Sequence, residues 1–279
     1  MYEIIISGGD SFTFGAESVD DTLMTPSQMS WANLVAEKIG KQHINTAKSG
    51  RSNSFIARQV LYQLSKALEQ DIDPGKIFVQ VMWTFTNRHE VALGREISEY
   101  DSPWAWITPY SHANETLSSW FLNLDKKTTH YQCVKENLRE RYIKNKKYGI
   151  VDYASSYHRL TAGNTLNDCY ITVKEILLLQ NFLKLSNVNY LFSVVDKHAR
   201  TGIFRDSSVG LGSDYINMYR EMFDLSKWFF FPDADGFCDW AKKNNYEFAT
   251  SHPLEQAHKD AASLIYNYII SKGIINEIG

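Results

Sequence analysis

A serine in a glycine-rich turn is the first residue of this 279-residue chain whose surroundings suggest chemistry. The turn, Gly8-Gly9-Asp10-Ser11, follows a short apolar run, residues 4–7, which is typical of a buried parallel strand. Open α/β sheets place their sites at the carboxyl ends of strands, and glycine allows the tight backbone path that such a turn needs. Ser11 is therefore a candidate nucleophile. The alternative is a turn in which Asp10 and Ser11 only satisfy backbone groups.

A histidine near the end of the chain could activate that serine. A hydroxyl is a poor nucleophile until a base takes its proton, and histidine does this best near neutral pH. His252 lies in Ser251-His252-Pro253, just before the last predicted helix. Pro253 at the first helical position would hold His252 immediately outside that helix. The alternative for a single loop histidine is a structural role.

Two further loops contain groups that could bind a developing oxyanion. Gly50 could present its backbone N–H, and Asn87, which follows the third predicted strand, could donate from its side-chain amide. The alternatives are an ordinary turn glycine and a capping asparagine. Arg51 and Arg88 accompany them and could attract an anionic group of a substrate, although such arginines also form surface salt bridges.

Taken together, these four segments resemble the GDSL-like, or SGNH, hydrolase family. The matching residues, in the order of the family's blocks, are Gly9-Asp10-Ser11, Gly50, Asn87, and His252-Pro253 followed by His258. The resemblance implies a flavodoxin-like three-layer fold, a nucleophilic Ser11 and a general base, His252. It also implies an oxyanion hole formed by the N–H groups of Ser11 and Gly50 and the amide of Asn87.

Two departures from the family pattern affect this reading. The third block of the family is Gly-x-Asn-Asp, whereas this chain has Phe85-Thr86-Asn87-Arg88. The family places an aspartate three residues before its catalytic histidine, and that position here is Ala249. His252 still needs an acceptor for its second ring nitrogen, because that contact selects the tautomer. We predict that the acceptor is a carboxylate from residues 233–247 (Asp235, Asp239 or Glu247) or a main-chain carbonyl.

The elements that must position these residues alternate between strands and helices. Strands are predicted at residues 4–7, 43–45, 77–83, 190–195 and 229–231, and helices at 25–40, 53–70, 168–186 and 254–270. This order predicts a three-layer α/β/α fold, with a parallel sheet of about five strands and helices on both faces. We expect one domain over residues 1–279. Residues 94–165 contain no clear strand and form a predicted insertion or cap, partly helical around 130–145.

Composition removes several classes of function. The net charge of −3 gives no reason to expect nucleic acid or an anionic membrane as a partner. Three widely spaced cysteines argue against a disulfide framework and a zinc site. Because there is neither a P-loop nor a GxGxxG motif, we expect no cofactor and no metal. No signal peptide or membrane-length apolar run is visible, so we expect a soluble, cytoplasmic protein, with a virion as the alternative location.

The leading hypothesis is a serine esterase that forms an acyl-enzyme on Ser11. Its substrate would be a small acyl ester, for example an O-acetylated carbohydrate. This substrate class is expected from the family resemblance and from aromatic residues of the insertion such as Trp104 and Trp106. The alternative, motivated by Ala249, is a catalytically weak or inactive binding or structural protein on the same scaffold, for which a phage-encoded role would fit. A flavodoxin-like nucleotide binder is a third reading, but it gives His252 no purpose.

Overall fold

The structure is a computed structural model that describes residues 2–22, 24–92, 104–107, 165–205 and 213–274, together with positions 149, 152 and 156. Most of the predicted insertion, including its expected helix around 130–145, lies outside the described residues. In chain order the strands are β1 (Tyr2–Gly8), β2 (Gly40–Asn45), β3 (Ile77–Trp83), β4 (His89–Ala92), β5 (Trp104–Ile107) and β6 (Asn189–Val194).

Eight α-helices are present among the described residues, with short 3₁₀ turns at Pro74–Lys76 and Leu225–Lys227. In chain order they are α1 (Ser11–Phe14), α2 (Trp31–Ile39), α3 (Asn53–Glu69), α4 (Thr165–Leu185), α5 (Lys197–Phe204), α6 (Ser213–Glu221), α7 (Phe237–Lys243) and α8 (Glu255–Ser271). Within the described part of the chain, none of them has the length and apolar character needed to cross a bilayer.

The central sheet is parallel, in the order β2-β1-β3-β6, and it confirms the predicted α/β architecture. The described residues give it four strands rather than about five. The predicted last strand is reduced to one parallel bridge from Trp228 to Phe192, continued by a hydrogen bond from the Phe229 N–H to the Phe192 carbonyl. Strand β5 was not predicted; it pairs antiparallel with β4, outside the central sheet.

Helices cover both faces of the sheet because strand side chains alternate between two apolar layers. Ile4 and Ile6 of β1 pack in a cluster with α3 and α4, whereas Ile5 packs in a cluster with α2 and α8. All three isoleucines are at most 5% exposed. Burial on both faces explains why these strands read as continuous apolar runs.

A polar network crosses the layer between the sheet and α2. The Gln80 amide donates to the Ser7 hydroxyl and to the Ala32 carbonyl, both at 2.8 Å. Ser7 Oγ lies 2.7 Å from His43 Nε2, and His43 Nδ1 lies 3.1 Å from Asn33 Oδ1. Burial lowers the pKa of His43 to about 4, so the ring is neutral in this network near pH 7.

The carboxyl ends of β1, β2 and β3 lie side by side because these strands are parallel neighbours. Gly8 and Gly9 end β1 where the chain passes very close to its surroundings. A Cβ on Gly8 would lie 2.6 Å from Val60 Cγ2, and one on Gly9 would overlap the Thr13 side chain. Glycine is therefore required at both positions by space. The loops that follow the three strands meet at this edge, which is the position of sites in open α/β sheets.

The partly buried His43 makes the stability of the protein sensitive to acid. His43 binds a proton at about pH 6.5 in the unfolded chain but only at about pH 4 in the folded one. Between these values the unfolded state holds more protons, so the free energy of unfolding should fall as the pH is lowered from 6.5 to 4. Urea unfolding at several pH values measures this slope. In His43→Gln the slope should be smaller by about one proton. An unchanged slope would refute a neutral His43 in the folded protein.

Candidate active site

The turn that carries Ser11 is held by the residue before it. Asp10 is the N-cap of α1, and its Oδ1 accepts a hydrogen bond from the Phe12 N–H at 3.1 Å. Ser11 is the first residue of the helix and is 6% exposed. Its hydroxyl makes no hydrogen bond within the described part of the chain, and its oxygen is not among the fully buried polar atoms that lack a partner. The Ser11 oxygen is therefore accessible to solvent, although the residue as a whole is almost buried.

The other oxygen of Asp10 joins this turn to the loop after β3. Oδ2 accepts the Thr84 hydroxyl at 2.5 Å and Arg88 Nη1 at 2.7 Å, while Asp10 itself is fully buried. Arg88 is 18% exposed and also donates from Nη1 to Thr84 Oγ1 at 3.1 Å. A buried charge must be paired, so this contact fixes the third loop against the nucleophile turn.

The loop after β2 approaches from the opposite side. The Asn45 side chain donates to the Thr13 carbonyl of α1 at 3.2 Å, and Arg88 Nη1 lies 3.5 Å from the Arg51 carbonyl. Gly50 has φ +75°, a left-handed conformation that glycine adopts readily. In the described residues, the backbone N–H groups of Ser11 and Gly50 have no acceptor.

His252 lies on a narrow loop before α8. The loop is closed by hydrogen bonds from the Ala249 N–H to the His252 carbonyl, at 3.0 Å, and from the Leu254 N–H to the Glu247 carbonyl, at 2.9 Å. The helix begins at Glu255, so Pro253 is not its first residue as predicted but lies in a bridge before it. The imidazole packs against the ring of Phe12, with the ring centroids 4.7 Å apart.

Glu17 is the residue that orients His252. Its Oε2 lies 3.1 Å from His252 Nδ1 and accepts the backbone N–H groups of Ser251 and His252 at 3.0 and 3.1 Å. The Ser251 hydroxyl also lies 3.0 Å from Nδ1. When Nδ1 carries its proton and donates to Glu17, the other ring nitrogen, Nε2, is left as the base.

The backbone after α1 carries Glu17 to this position by an unusual path. Gly15, with φ +78°, ends α1 in the left-handed conformation, and Glu17 repeats that conformation with φ +68°. Asp21 Oδ2 accepts the Glu17 N–H at 2.7 Å. A left-handed conformation costs a non-glycine residue about 1–2 kcal/mol, so it persists only where its surroundings hold it. Here the three contacts with the His252 loop do so.

The charge of Glu17 is stabilised although its side chain is only 5% exposed. Burial by itself would raise the pKa of this carboxyl. The hydrogen bond and the charge of His252, together with the N–H groups of Ser251 and His252, outweigh burial and lower the pKa below its usual value. Glu17 is therefore an ionised partner for the His252 imidazole.

The predicted site residues are brought together only in part. Ser11, Gly50 and Arg88 meet at the expected edge, but no hydrogen bond joins Ser11 to His252 in the part of the chain that the structure describes. Asn87 is an exposed turn residue whose side chain makes no hydrogen bond to another described residue. Its role, like the other assigned roles, stays a prediction.

The predicted acceptor for His252 was wrong. The carboxylate comes from Glu17, on the same segment as Ser11, rather than from residues 233–247 or from a main-chain carbonyl. Asp235 is instead 3.2 Å from Arg200, Asp239 accepts the Lys197 N–H, and Glu247 is exposed. No periodic or family signal identifies Glu17 in the sequence, since it follows a glycine that ends a single helical turn.

His258, which the family pattern included, is fully buried and contacts α2. Its Nδ1 accepts the Trp31 N–H at 3.1 Å, which satisfies one of the free N–H groups at the start of that helix. Burial lowers the pKa of His258 to about 3, so the ring is neutral. Its role is to join α8 to α2 beneath the site.

Neither metal nor relatives identify the site. In the described ranges, no group of three or more His, Cys, Asp or Glu side chains is arranged to hold a metal ion. No known protein family has a model that matches this chain, and no curated protein has a significantly similar sequence. The reading of the site therefore depends on its geometry.

The buried Asp10 predicts a large loss of stability on truncation. Asp10→Ala would remove the cap of α1 and leave Arg88 without its carboxylate. We expect the free energy of unfolding to fall by about 3 kcal/mol or more, measured by urea denaturation. Glu3→Ala is the control, because Glu3 forms an exposed pair with Lys76 and should cost less than about 1 kcal/mol. Equal losses in the two variants would contradict this structural role of Asp10.

Proposed function

We propose that this protein is a serine hydrolase of small acyl esters, with Ser11 as the nucleophile, His252 as the base and Glu17 as the residue that positions the base. The observation that supports this proposal is the pairing of Glu17 with His252 Nδ1 at 3.1 Å, beside the ring of Phe12. It supplies the carboxylate that Ala249 cannot provide. Membership of the SGNH hydrolase family is part of the same proposal.

The proposed reaction proceeds through an acyl-enzyme. His252 Nε2 takes the proton of the Ser11 hydroxyl as Oγ forms a bond to the ester carbonyl carbon, and the carbonyl oxygen becomes an oxyanion. When the tetrahedral intermediate collapses, the bond to the leaving alkoxide breaks, and His252 gives that alkoxide the proton. Water then repeats the sequence and releases the acid. Glu17 stabilises the imidazolium that forms in each half of the reaction.

Two backbone donors support the oxyanion assignment. The N–H groups of Ser11 and Gly50 have no acceptor among the described residues, and the loop of Gly50 is bound to α1 through Asn45. Fixed, unpaired N–H groups are what a developing oxyanion requires. We propose an O-acetylated carbohydrate as one example of such an ester, because the family resemblance and the aromatic residues of the insertion both suggest it.

A non-catalytic binding or structural protein is the second candidate. The observation in its favour is that Ser11 is 6% exposed and makes no hydrogen bond to His252. Unliganded catalytic sites often have long nucleophile–base distances that close only with substrate, so this geometry is compatible with both candidates. Reactivity of Ser11 separates them.

The nucleophile can be tested by covalent labelling. We expect a fluorophosphonate probe to label Ser11, located by peptide mass spectrometry, because His252 makes this hydroxyl nucleophilic. Ser11→Ala should lose the label and the hydrolysis of p-nitrophenyl acetate. Ser18→Ala, which changes a buried serine on the same segment, is the matched control. Wild-type protein that is folded but neither labelled nor active would support the second candidate.

The positioning residue gives a separate prediction. Glu17→Gln keeps the shape of the side chain but removes its charge, so kcat should fall by up to about 10⁴-fold, the loss that the corresponding change causes in the serine-protease triad. KM should change little, because Glu17 acts on the imidazolium that forms during the reaction rather than on substrate binding.

Glu247→Gln is the control for that change. It is the same substitution on the loop of His252, but Glu247 is exposed and its side chain does not contact the imidazole. Its kcat and KM should match those of the wild-type protein. Loss of activity in Glu247→Gln, with full activity in Glu17→Gln, would show that Glu17 does not position the base.

A further inference from the structure

The loop after β3 presents a charged donor where the family pattern calls for a neutral one. Asn87, at the position of the family's asparagine, is exposed and makes no hydrogen bond to another described residue. Arg88, the next residue, turns back towards the nucleophile turn and contacts Asp10 at 2.7 Å. Of the two, Arg88 is the side chain bound to the turn that begins with Ser11.

The Arg88 guanidinium is held in place by one of its three nitrogens. Nη1 faces Asp10 Oδ2, Thr84 Oγ1 and the Arg51 carbonyl, and the guanidinium packs 4.5 Å from the centroid of the Phe85 ring. Asp10 Oδ1 in turn caps α1 through the Phe12 N–H. Two consecutive hydrogen bonds therefore fix the guanidinium relative to the turn of Ser11.

The other two nitrogens of the Arg88 guanidinium have hydrogen-bond donors that no described residue uses. Nε and Nη2 of Arg88 make no hydrogen bond with a described residue, and neither is among the fully buried polar atoms without a partner. Both remain open to solvent, on a side chain that is 18% exposed. An arginine used only to neutralise Asp10 would need Nη1 alone. The geometry leaves an immobilised, positively charged donor bound to the turn that carries Ser11.

We propose that Arg88, rather than Asn87, is the third oxyanion donor of the site, and this inference rests on the proposed function. As Ser11 Oγ bonds to the carbonyl carbon, the electron pair of the C=O bond moves onto the oxygen, which then accepts an N–H of Arg88 together with those of Ser11 and Gly50. Arg88 transfers no proton, because a guanidinium stays protonated in proteins.

A preformed charge suits this position for a physical reason. The donors of an oxyanion hole work best when they are fixed before the charge develops, since nothing then has to reorganise during the reaction. Asp10 fixes Arg88 and balances its charge in the resting protein. The additional negative charge on the substrate oxygen appears only in the transition state, so the interaction should lower the barrier more than it strengthens substrate binding.

Chemical rescue tests this inference. Arg88→Ala should lower kcat for p-nitrophenyl acetate by about 10²- to 10³-fold with little change in KM. Millimolar guanidinium chloride, far below denaturing concentrations, should restore part of kcat, whereas equal sodium chloride should not. Guanidinium can also refill the place beside Asp10, so the kcat of Arg88→Lys, which keeps a cation there, separates the donor role from a purely structural one.

Two further variants complete the test. Arg88→Lys keeps a cation beside Asp10 but lacks the planar guanidinium, so it should stay folded and still have a lower kcat than the wild-type protein. This variant replaces Arg88→Ala in the test if Arg88→Ala does not fold. Arg58→Ala is the matched control, since Arg58 also pairs with a buried carboxylate, Glu90, at 2.9 Å. Its kcat should not respond to guanidinium.

The outcomes separate this inference from the proposed function. Wild-type protein that is not labelled at Ser11 and has no esterase activity would defeat both. Labelled and active wild-type protein, with kcat unchanged in Arg88→Ala and Arg88→Lys, would overturn the role of Arg88 alone. A loss of kcat in Asn87→Ala that is absent in the Arg88 variants would return the assignment to Asn87.

Discussion

The carboxylate of Asp10 is fully buried and turns its two oxygens to different parts of the chain. One oxygen caps the single turn of α1, and the other accepts Thr84 and Arg88 from the loop after β3. A buried charge without partners would cost several kcal/mol, so the turn of Ser11 and the loop after β3 cannot separate without exposing or protonating it. The placement of Ser11 and Arg88 relative to one another follows from this constraint.

A second carboxylate extends the same segment to the far end of the chain. Glu17 lies six residues after Ser11, and the left-handed conformations of Gly15 and Glu17 turn its side chain towards the loop of His252. The backbone cost at Glu17 is offset by three contacts with that loop. Residues 10–17 therefore contain the proposed nucleophile, its cap and the acid that orients the base, which is why Ala249 need not be an aspartate.

The sequence was sufficient to predict the strands and helices whose buried side chains form a periodic pattern. The apolar runs of β1 and β3 and the helical spacing of α3 were predicted close to their observed bounds, and the edge where their loops meet follows from parallel order. Glu17 could not be predicted, because its partner lies 235 residues away and no periodicity marks it. The fifth strand, predicted at residues 229–231, was overpredicted for a related reason. These apolar residues are largely buried, but a single bridge, at Trp228, pairs this segment with the sheet.

The two carboxylates divide the charges that the proposed reaction would create. In the resting protein Asp10 is paired with Arg88, and Glu17 faces Nδ1 of His252. Proton transfer from Ser11 would place a positive charge on His252, next to Glu17, and a negative charge on the substrate oxygen, next to the free edge of Arg88. Each new charge would form beside an opposite charge that is already fixed by burial. Because water would otherwise have to reorient around both, this arrangement is the physical basis for expecting catalysis from a site with no aspartate at position 249.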